Sequence, residues 1–257
     1  MKKMVAIMHK EWLELRQERW LVASTLLMPL LLTGLPFAIL GNATAETTNL
    51  GPIADLPMFE GFSTEETIQI VLLRQFLILF LLMPLYLPST IAAHSVVSEK
   101  VSHTLEPFLA GPVHTLEILL AKSLVAAVPA ALITWLCYAV YTFGARLVVV
   151  SDRVHTEVFT SAWLLAVILW VPMLAMLSVA LGVIISSRTT DPRTAQQLTK
   201  IVVVPLLIFF FAQLAGLLIV STTIVVVTLL PLLLLVACTL YAATRLFDRE
   251  RILLHWG

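Results

Sequence analysis

The chain has 257 residues, of which 60% are hydrophobic and 12% are charged, and its sixteen Lys and Arg residues balance its sixteen Asp and Glu residues. Soluble domains average about 45–50% apolar and about 25% charged residues. The composition therefore excludes a soluble globular domain, a disordered chain and a nucleic-acid-binding protein, and it indicates an integral membrane protein.

The first nineteen residues have the pattern of an amphipathic helix. The apolar residues Val5, Met8, Trp12 and Leu15 recur at helical spacing, while Lys10 and other polar residues lie between them. Such a helix can lie in the plane of the membrane interface, with Trp12 at the depth of the headgroups. The alternative is a helix that packs on the cytoplasmic surface of the protein itself.

Six apolar stretches follow, and each is long enough to cross a hydrocarbon core about 30 Å thick, which needs about 20 helical residues. Only three residues separate the last two stretches, which predicts a tight antiparallel hairpin. The predicted fold class is an all-α membrane protein of one polytopic domain, 1–257, with the N-terminal helix at 1–19, the spans within 20–243 and a cytoplasmic tail at 244–257. The predicted spans are Trp20–Leu40, Ile70–Ala93, Lys122–Phe143, Ser161–Ile185, Ile201–Val220 and Ile224–Ala243.

Every predicted span contains proline. Spanning helices tolerate proline because neighbouring helices and hydroxyl side chains can satisfy the freed carbonyl groups. Two interpretations remain open, namely ordinary kinks and hinges for a moving transporter. The prolines are Pro29, Pro36, Pro84, Pro88, Pro129, Pro172, Pro205 and Pro231.

The positions of the cations predict the orientation of the chain, because cytoplasmic loops of membrane proteins carry an excess of Lys and Arg. With the N-terminus inside, the outer loops hold only Arg146 and Arg153, and both termini are cytoplasmic. The predicted inner side holds Lys2, Lys3, Lys10, Arg16, Arg19, Lys100, Lys122, Arg188, Arg193, Lys200, Arg245, Arg249 and Arg251.

Two features of the predicted outer side could concern cargo. The loop from Gly41 to about Gln69 has five acids and no Lys or Arg, which fits either a cation-attracting vestibule or a solvated loop. Arg74 is the one cation inside an apolar stretch near the outer end, and charges placed there are costly and often functional. It can line a substrate path, snorkel to the interface or pair with Glu66.

Motifs of enzymatic chemistry are missing from the sequence. It has no P-loop, no H-E-x-x-H and no G-x-S-x-G motif, and His94, His103 and His114 lack the spacing of metal ligands. We therefore expect no catalytic residue, metal or cofactor in this chain. The predicted spans also lack carboxylates, which disfavours an ion-driven transporter, although some such transporters bind ions through backbone carbonyls.

The predicted cytoplasmic loop between the second and third spans contains a short apolar cluster. Leu105, Phe108 and Leu109 lie at i, i+3 and i+4, the spacing of one helix face. Gly111 and Pro112 end this helix, and a new helix begins near His114. A short exposed helix of this kind can dock into a groove on a cytoplasmic partner.

Several residues of this loop resemble those of a known family of membrane proteins. Glu99, Thr104-Leu105-Glu106, Phe108-Leu109-Ala110, Pro112-Val113, Glu117 and Lys122 are similar to the coupling loop of ABC type-2 exporter permeases. The stretch from Ser187 to Gln197 and the tail from Arg245 to Leu253 are similar to other cytoplasmic segments of that family. Three positions depart from the family pattern, namely Pro107, His114 and Ala121.

The resemblance implies a permease subunit of an ATP-driven transporter, an exporter in the cell membrane, that is not itself an enzyme. It implies a separate ABC ATPase subunit as a partner and a second permease chain, identical or paralogous. The residues that it implies for ATPase coupling are Glu99, Thr104, Leu105, Glu106, Phe108, Leu109 and Pro112. The alternatives are a six-span carrier that acts without an ATPase and, less well supported, an intramembrane enzyme. The apolar spans suggest an amphipathic or lipid-like cargo.

Overall fold

The computed structural model describes five stretches of the chain and a few isolated residues. All secondary structure within this part of the chain is helical, and it contains no strand. The all-α prediction is therefore confirmed for the described residues, which are 19–42, 59–101, 115–187, 200–214 and 220–246 with His9, Leu13, Thr194, Gln197 and Leu198.

Eight α-helices are described, and a 3-10 turn at Lys200–Val203 leads into the seventh. In chain order they are α1 (Arg19–Asn42), α2 (Thr64–Phe80), α3 (Leu82–Val101), α4 (Thr115–Val148), α5 (Asp152–Val158), α6 (Ser161–Ser187), α7 (Val204–Leu214) and α8 (Thr222–Leu246).

Four helical stretches of the described residues are long and apolar enough to cross a membrane: Thr64–Ser89, Leu120–Val148, Asp152–Ser186 and Thr222–Arg245. They contain most of the second, third, fourth and sixth predicted spans. The first predicted span falls in α1, whose apolar described part, Leu26–Gly41, is shorter. The fifth begins at α7 and continues into residues 215–219, which lie outside the described part, as does most of the N-terminal amphipathic segment. The count of six spans stays a prediction.

The second predicted span is two helices rather than one. The break falls at Leu81, whose N–H donates to the Ile78 carbonyl at 2.9 Å in a tightened last turn. Pro84 explains the break, because it has no N–H to donate to the Phe80 carbonyl four residues earlier and its ring crowds that group. By contrast, Pro129, Pro172 and Pro231 lie inside unbroken helices.

Helix α6 is the centre of the described bundle, since it packs along α3, α4 and α8. Small residues let α3 and α6 approach closely. The Ser178 hydroxyl donates to the Leu85 carbonyl across this interface. A Cβ atom at Gly182 would lie only 3.3 Å from the Ser89 carbonyl oxygen. Membrane helices commonly associate through such small residues at four-residue spacing, because close packing replaces the missing hydrophobic driving force.

The described parts of the predicted outer loops are more helical than the sequence suggested. Helix α4 continues to Val148, beyond the predicted end at Phe143, and α5 then occupies most of the connection to α6. The predicted loop that ends at Gln69 already becomes helical at Thr64. These polar helix ends were missed because the prediction counted only apolar residues.

Candidate functional site

The predicted coupling residues lie at the edge of, or beyond, the described part of the chain. Glu99 belongs to the last turn of α3, and its side chain is not described. Thr104, Leu105, Glu106, Phe108, Leu109 and Pro112 lie outside the described residues.

The two helices that carry this loop are described, and they pack against each other. Helix α3 is described as far as Val101 and α4 from Thr115 onward, and the helix start predicted near His114 lies outside the described residues. Lys122, two turns into α4, is 8% exposed and lies between the fully buried Ala121 and Ser123. The loop is therefore attached to a firmly packed helix at its C-terminal side.

Arg74 is bound to the connection between α4 and α6. Its guanidinium donates to the Glu157 carboxylate at 2.5 Å and to the Glu157 carbonyl oxygen at 2.9 Å. The Arg74 side chain is 15% exposed and that of Glu157 is 45% exposed. The partner is thus an acid on α5, 83 residues away in sequence, and not Glu66, the partner suggested by sequence proximity.

Glu66 instead joins the start of α2 to the residue before α5. It completes a capping box, in which Glu66 N–H donates to Ser63 Oγ at 3.2 Å and the Ser63 N–H donates to Glu66 Oε2 at 2.9 Å. The Ser151 hydroxyl donates to Glu66 Oε1 at 2.6 Å. The Glu66 carboxylate therefore accepts a hydrogen bond at the N-terminus of α2 and another from the segment that precedes α5.

Two further hydrogen bonds extend this contact between α2 and its neighbours. The Val150 N–H donates to the Gln69 side-chain oxygen at 3.0 Å, and the Tyr141 hydroxyl donates to the Leu73 carbonyl at 3.1 Å. We call this group the α2–α5 clasp, formed by Glu66, Gln69, Arg74, Val150, Ser151 and Glu157.

An aromatic cluster lies directly beside the clasp. The ring centroid of Tyr141 is 4.9 Å from that of Phe80, 5.4 Å from that of Phe37 and 5.6 Å from that of Phe159. These rings come from α1, α2, α4 and the residue after α5, so the cluster joins four segments at one end of the bundle. Buried Val154 and Val158 add the apolar face of α5 to the same core.

A cavity of about 450 Å³ opens on the other side of α5, between α4 and α6. Aromatic and aliphatic side chains form most of its wall, and two basic side chains, Arg146 and His155, lie at one end. The remaining lining residues are Trp135, Tyr138, Ala139, Thr142, Phe143, Leu164, Val167 and Ile168.

Comparison with known proteins gives one family. The sequence profile described as ABC-2 family transporter protein matches residues 5–239, which is most of the chain. The chain belongs to the ABC-2 family of transporters. A comparison with curated protein sequences gives no match.

Membership in the ABC-2 family confirms the resemblance seen in the sequence. The chain is thus a multi-pass ABC transporter permease, a membrane component of transport. The part of this permease that the structure describes holds no group of three or more His, Cys, Asp or Glu side chains placed to bind a metal.

The clasp joins α2 to α5 and to the residues just before it, and its polar side chains are engaged with one another and with a helix terminus, so its geometry suits positioning. Two signals in the sequence could have revealed it. Ser63 and Glu66 match a capping box, and Val154 and Val158 lie four residues apart after Ser151, as on one face of a short helix. The pairing of Arg74 with Glu157 had no such signal, because it depends on packing between distant segments.

Proposed function

We propose that this ABC-2 permease forms the translocation path of an ATP-driven exporter in the cell membrane, with both termini in the cytoplasm. A separate ABC ATPase subunit supplies the energy, and this chain hydrolyses no ATP and needs no cofactor of its own. The observation that carries the proposal is the family match over residues 5–239, within which the coupling-loop pattern lies.

The loop between α3 and α4 is the proposed docking segment. Leu105, Phe108 and Leu109 would fill an apolar groove on the ATPase, as amphipathic helices do in groove recognition. Glu99 and Glu106 would pair with cations or cap helix ends of the partner. Movement of the loop would be transmitted to α4 at its buried segment around Lys122, which is 8% exposed.

A second permease chain, identical or paralogous, completes the proposed path. Helix α7 supports this, because its apolar residues Val204, Leu207, Ile208 and Phe211 form a stripe at helical spacing and are 39–66% exposed. Such a stripe can face lipid or another chain. Arg74 remains a candidate for the path, and its pairing with Glu157 favours a positioning role.

The coupling proposal is tested by the double substitution Leu105→Asp and Phe108→Asp. We expect it to abolish co-purification with the cognate ATPase and transport-coupled ATP hydrolysis, because two charges would be buried in an apolar groove. Leu147→Asp serves as the control, since Leu147 is 76% exposed in the last turn of α4, on the predicted outer side, and belongs neither to the clasp nor to the loop. The control is expected to keep both properties.

Undiminished complex formation and ATP hydrolysis in the double variant would contradict the coupling role. The alternative carrier function is separated by reconstitution of the permease alone in liposomes. Cargo movement driven by an ion gradient without ATPase would favour the carrier, and we expect none.

A further inference from the structure

The cavity between α4 and α6 has the form of a groove that runs along both helices. Its residues on α4, from Trp135 to Arg146, recur at three- and four-residue intervals and so follow one face. The eleven steps from Trp135 to Arg146, at a rise of 1.5 Å each, give a length of about 16.5 Å, close to half of a hydrocarbon core about 30 Å thick. The groove therefore matches one leaflet in length.

The side of the groove is open to the surroundings of the protein. Phe143 is 70% exposed, Leu164 is 50% exposed and Ile168 is 48% exposed, although all three are apolar. In a spanning permease these positions face acyl chains. The Trp135 indole crosses from α4 to α6, where its Nε1 donates to the Val167 carbonyl at 3.1 Å, and it forms the end of the groove opposite Arg146.

The other end of the groove carries positive charge. Arg146 is exposed in the last turn of α4, and no carboxylate is paired with it within the described part of the chain. His155 Nε2 lies 3.3 Å from the Thr142 carbonyl oxygen, which fixes the imidazole at the rim. The nearby acids Glu66 and Glu157 are held in the clasp by Ser151 and Arg74.

We propose that this groove is a binding site for one anionic phospholipid of the surrounding leaflet. An acyl chain lies against Trp135, Ala139 and Ile168, and the headgroup phosphate accepts hydrogen bonds from Arg146 beside His155. Arginine forms short, charge-assisted bonds with phosphate, and an apolar groove of this volume can enclose one chain. The length of the groove accommodates an acyl chain, and its positive end favours a lipid of net negative charge over a zwitterionic one.

The site is tested on the delipidated permease in detergent, by native mass spectrometry with phosphatidylglycerol and phosphatidylcholine offered at equal concentration. We expect one phosphatidylglycerol per chain in preference to phosphatidylcholine. Arg146→Gln should lower phosphatidylglycerol affinity by about tenfold, as the loss of one charge-assisted hydrogen bond implies, and lower phosphatidylcholine affinity less, because the choline cation already offsets the charge of that phosphate. Ala139→Phe should lower binding of both lipids because it fills the groove.

Arg153→Gln is the matched control, since Arg153 is an exposed cation on α5 that does not line the groove. Equal binding of the two lipids, or equal losses in the Arg146 and Arg153 variants, would overturn the proposal. Displacement of the lipid by inorganic phosphate at millimolar concentration would also overturn it, because the acyl chain would then contribute little.

Quenching of tryptophan fluorescence tests the same site and does not require the Ala139→Phe variant to fold. Phosphatidylglycerol with brominated acyl chains should quench tryptophan fluorescence, and Trp135→Phe should remove the saturable part of this quenching. Saturable quenching that persists in Trp135→Phe would place the lipid elsewhere. The proposal does not rest on ATPase coupling, because both measurements use the permease alone.

Discussion

Among single residues, the two members of the Arg74–Glu157 ion pair differ in how far their side chains are exposed to solvent. The Arg74 side chain is 15% exposed within a spanning helix, whereas that of Glu157 is 45% exposed. A charged group that loses its partner destabilises the protein more when it is buried, because water cannot take the partner's place. Truncation of Glu157 should therefore be more harmful than truncation of Arg74.

We expect Glu157→Ala to lower the free energy of unfolding by about 1–3 kcal/mol, because it leaves a half-buried guanidinium with only a carbonyl oxygen. Arg74→Gln should cost less. The double variant should cost less than the sum of both, with a coupling of at least about 0.5 kcal/mol. The measurement is unfolding in mixed micelles, and Asp152→Asn, an exposed acid on the same short helix, is the control. Additive losses would show that the pair contributes no stability.

At the scale of helices, two local features decide how the membrane segments fit together. Pro84 divides one apolar stretch into α2 and α3. The small residues Ser178 and Gly182 allow α6 to approach α3 closely enough for contact between side chain and backbone. The proline is visible in the sequence. That the small residues of α6 contact α3 is known only from the fold.

Gly182→Leu tests the close approach of α3 and α6. A Cβ atom at this position would already lie 3.3 Å from the Ser89 carbonyl oxygen, so a larger side chain must separate the helices. We expect a loss of about 1–3 kcal/mol, typical of overpacking, and a lower yield of folded permease in size-exclusion chromatography. Gly34→Leu in α1 is the matched control, since a Cβ atom there has no neighbour within 4 Å. Equal behaviour of the two variants would contradict tight packing at Gly182.

At the scale of the whole molecule, charge divides the chain into two sides. The outer connections predicted from the sequence are now seen to include helix α5 and the clasp, which bring Glu66, Arg74 and Glu157 to one end of the bundle. The same end contains Arg146 and the mouth of the groove. The orientation predicted from the distribution of Lys and Arg would put this end outside the cell, and it stays a prediction.

Labelling of single cysteines tests this orientation. In a background with Cys137 and Cys238 replaced by Ala, Arg153→Cys and Gln197→Cys would report on the two sides, since both positions are exposed. We expect a membrane-impermeant maleimide to label the Arg153 variant in intact cells and the Gln197 variant only after lysis. The reverse pattern would place both termini outside.

The helical class, the membrane environment and the family could all be predicted from the amino-acid sequence. These properties follow from the length of apolar stretches and from local residue patterns, which any segment carries without its neighbours. The sequence also singled out Arg74 as a charge inside an apolar stretch, although the helix begins at Thr64 and Arg74 lies about three turns into it. The coupling residues from Thr104 to Pro112 remain a prediction from that pattern.

The contacts between residues distant in sequence depend on how the helices pack. The packed helices pair Arg74 with Glu157 rather than Glu66, bring three aromatic rings around Tyr141, and form the groove between α4 and α6. The physical reason is that these contacts depend on the relative position and rotation of whole helices. Apolar stretches of similar composition carry little local information about the position or the rotation of a helix. The packing of small and aromatic side chains determines both quantities.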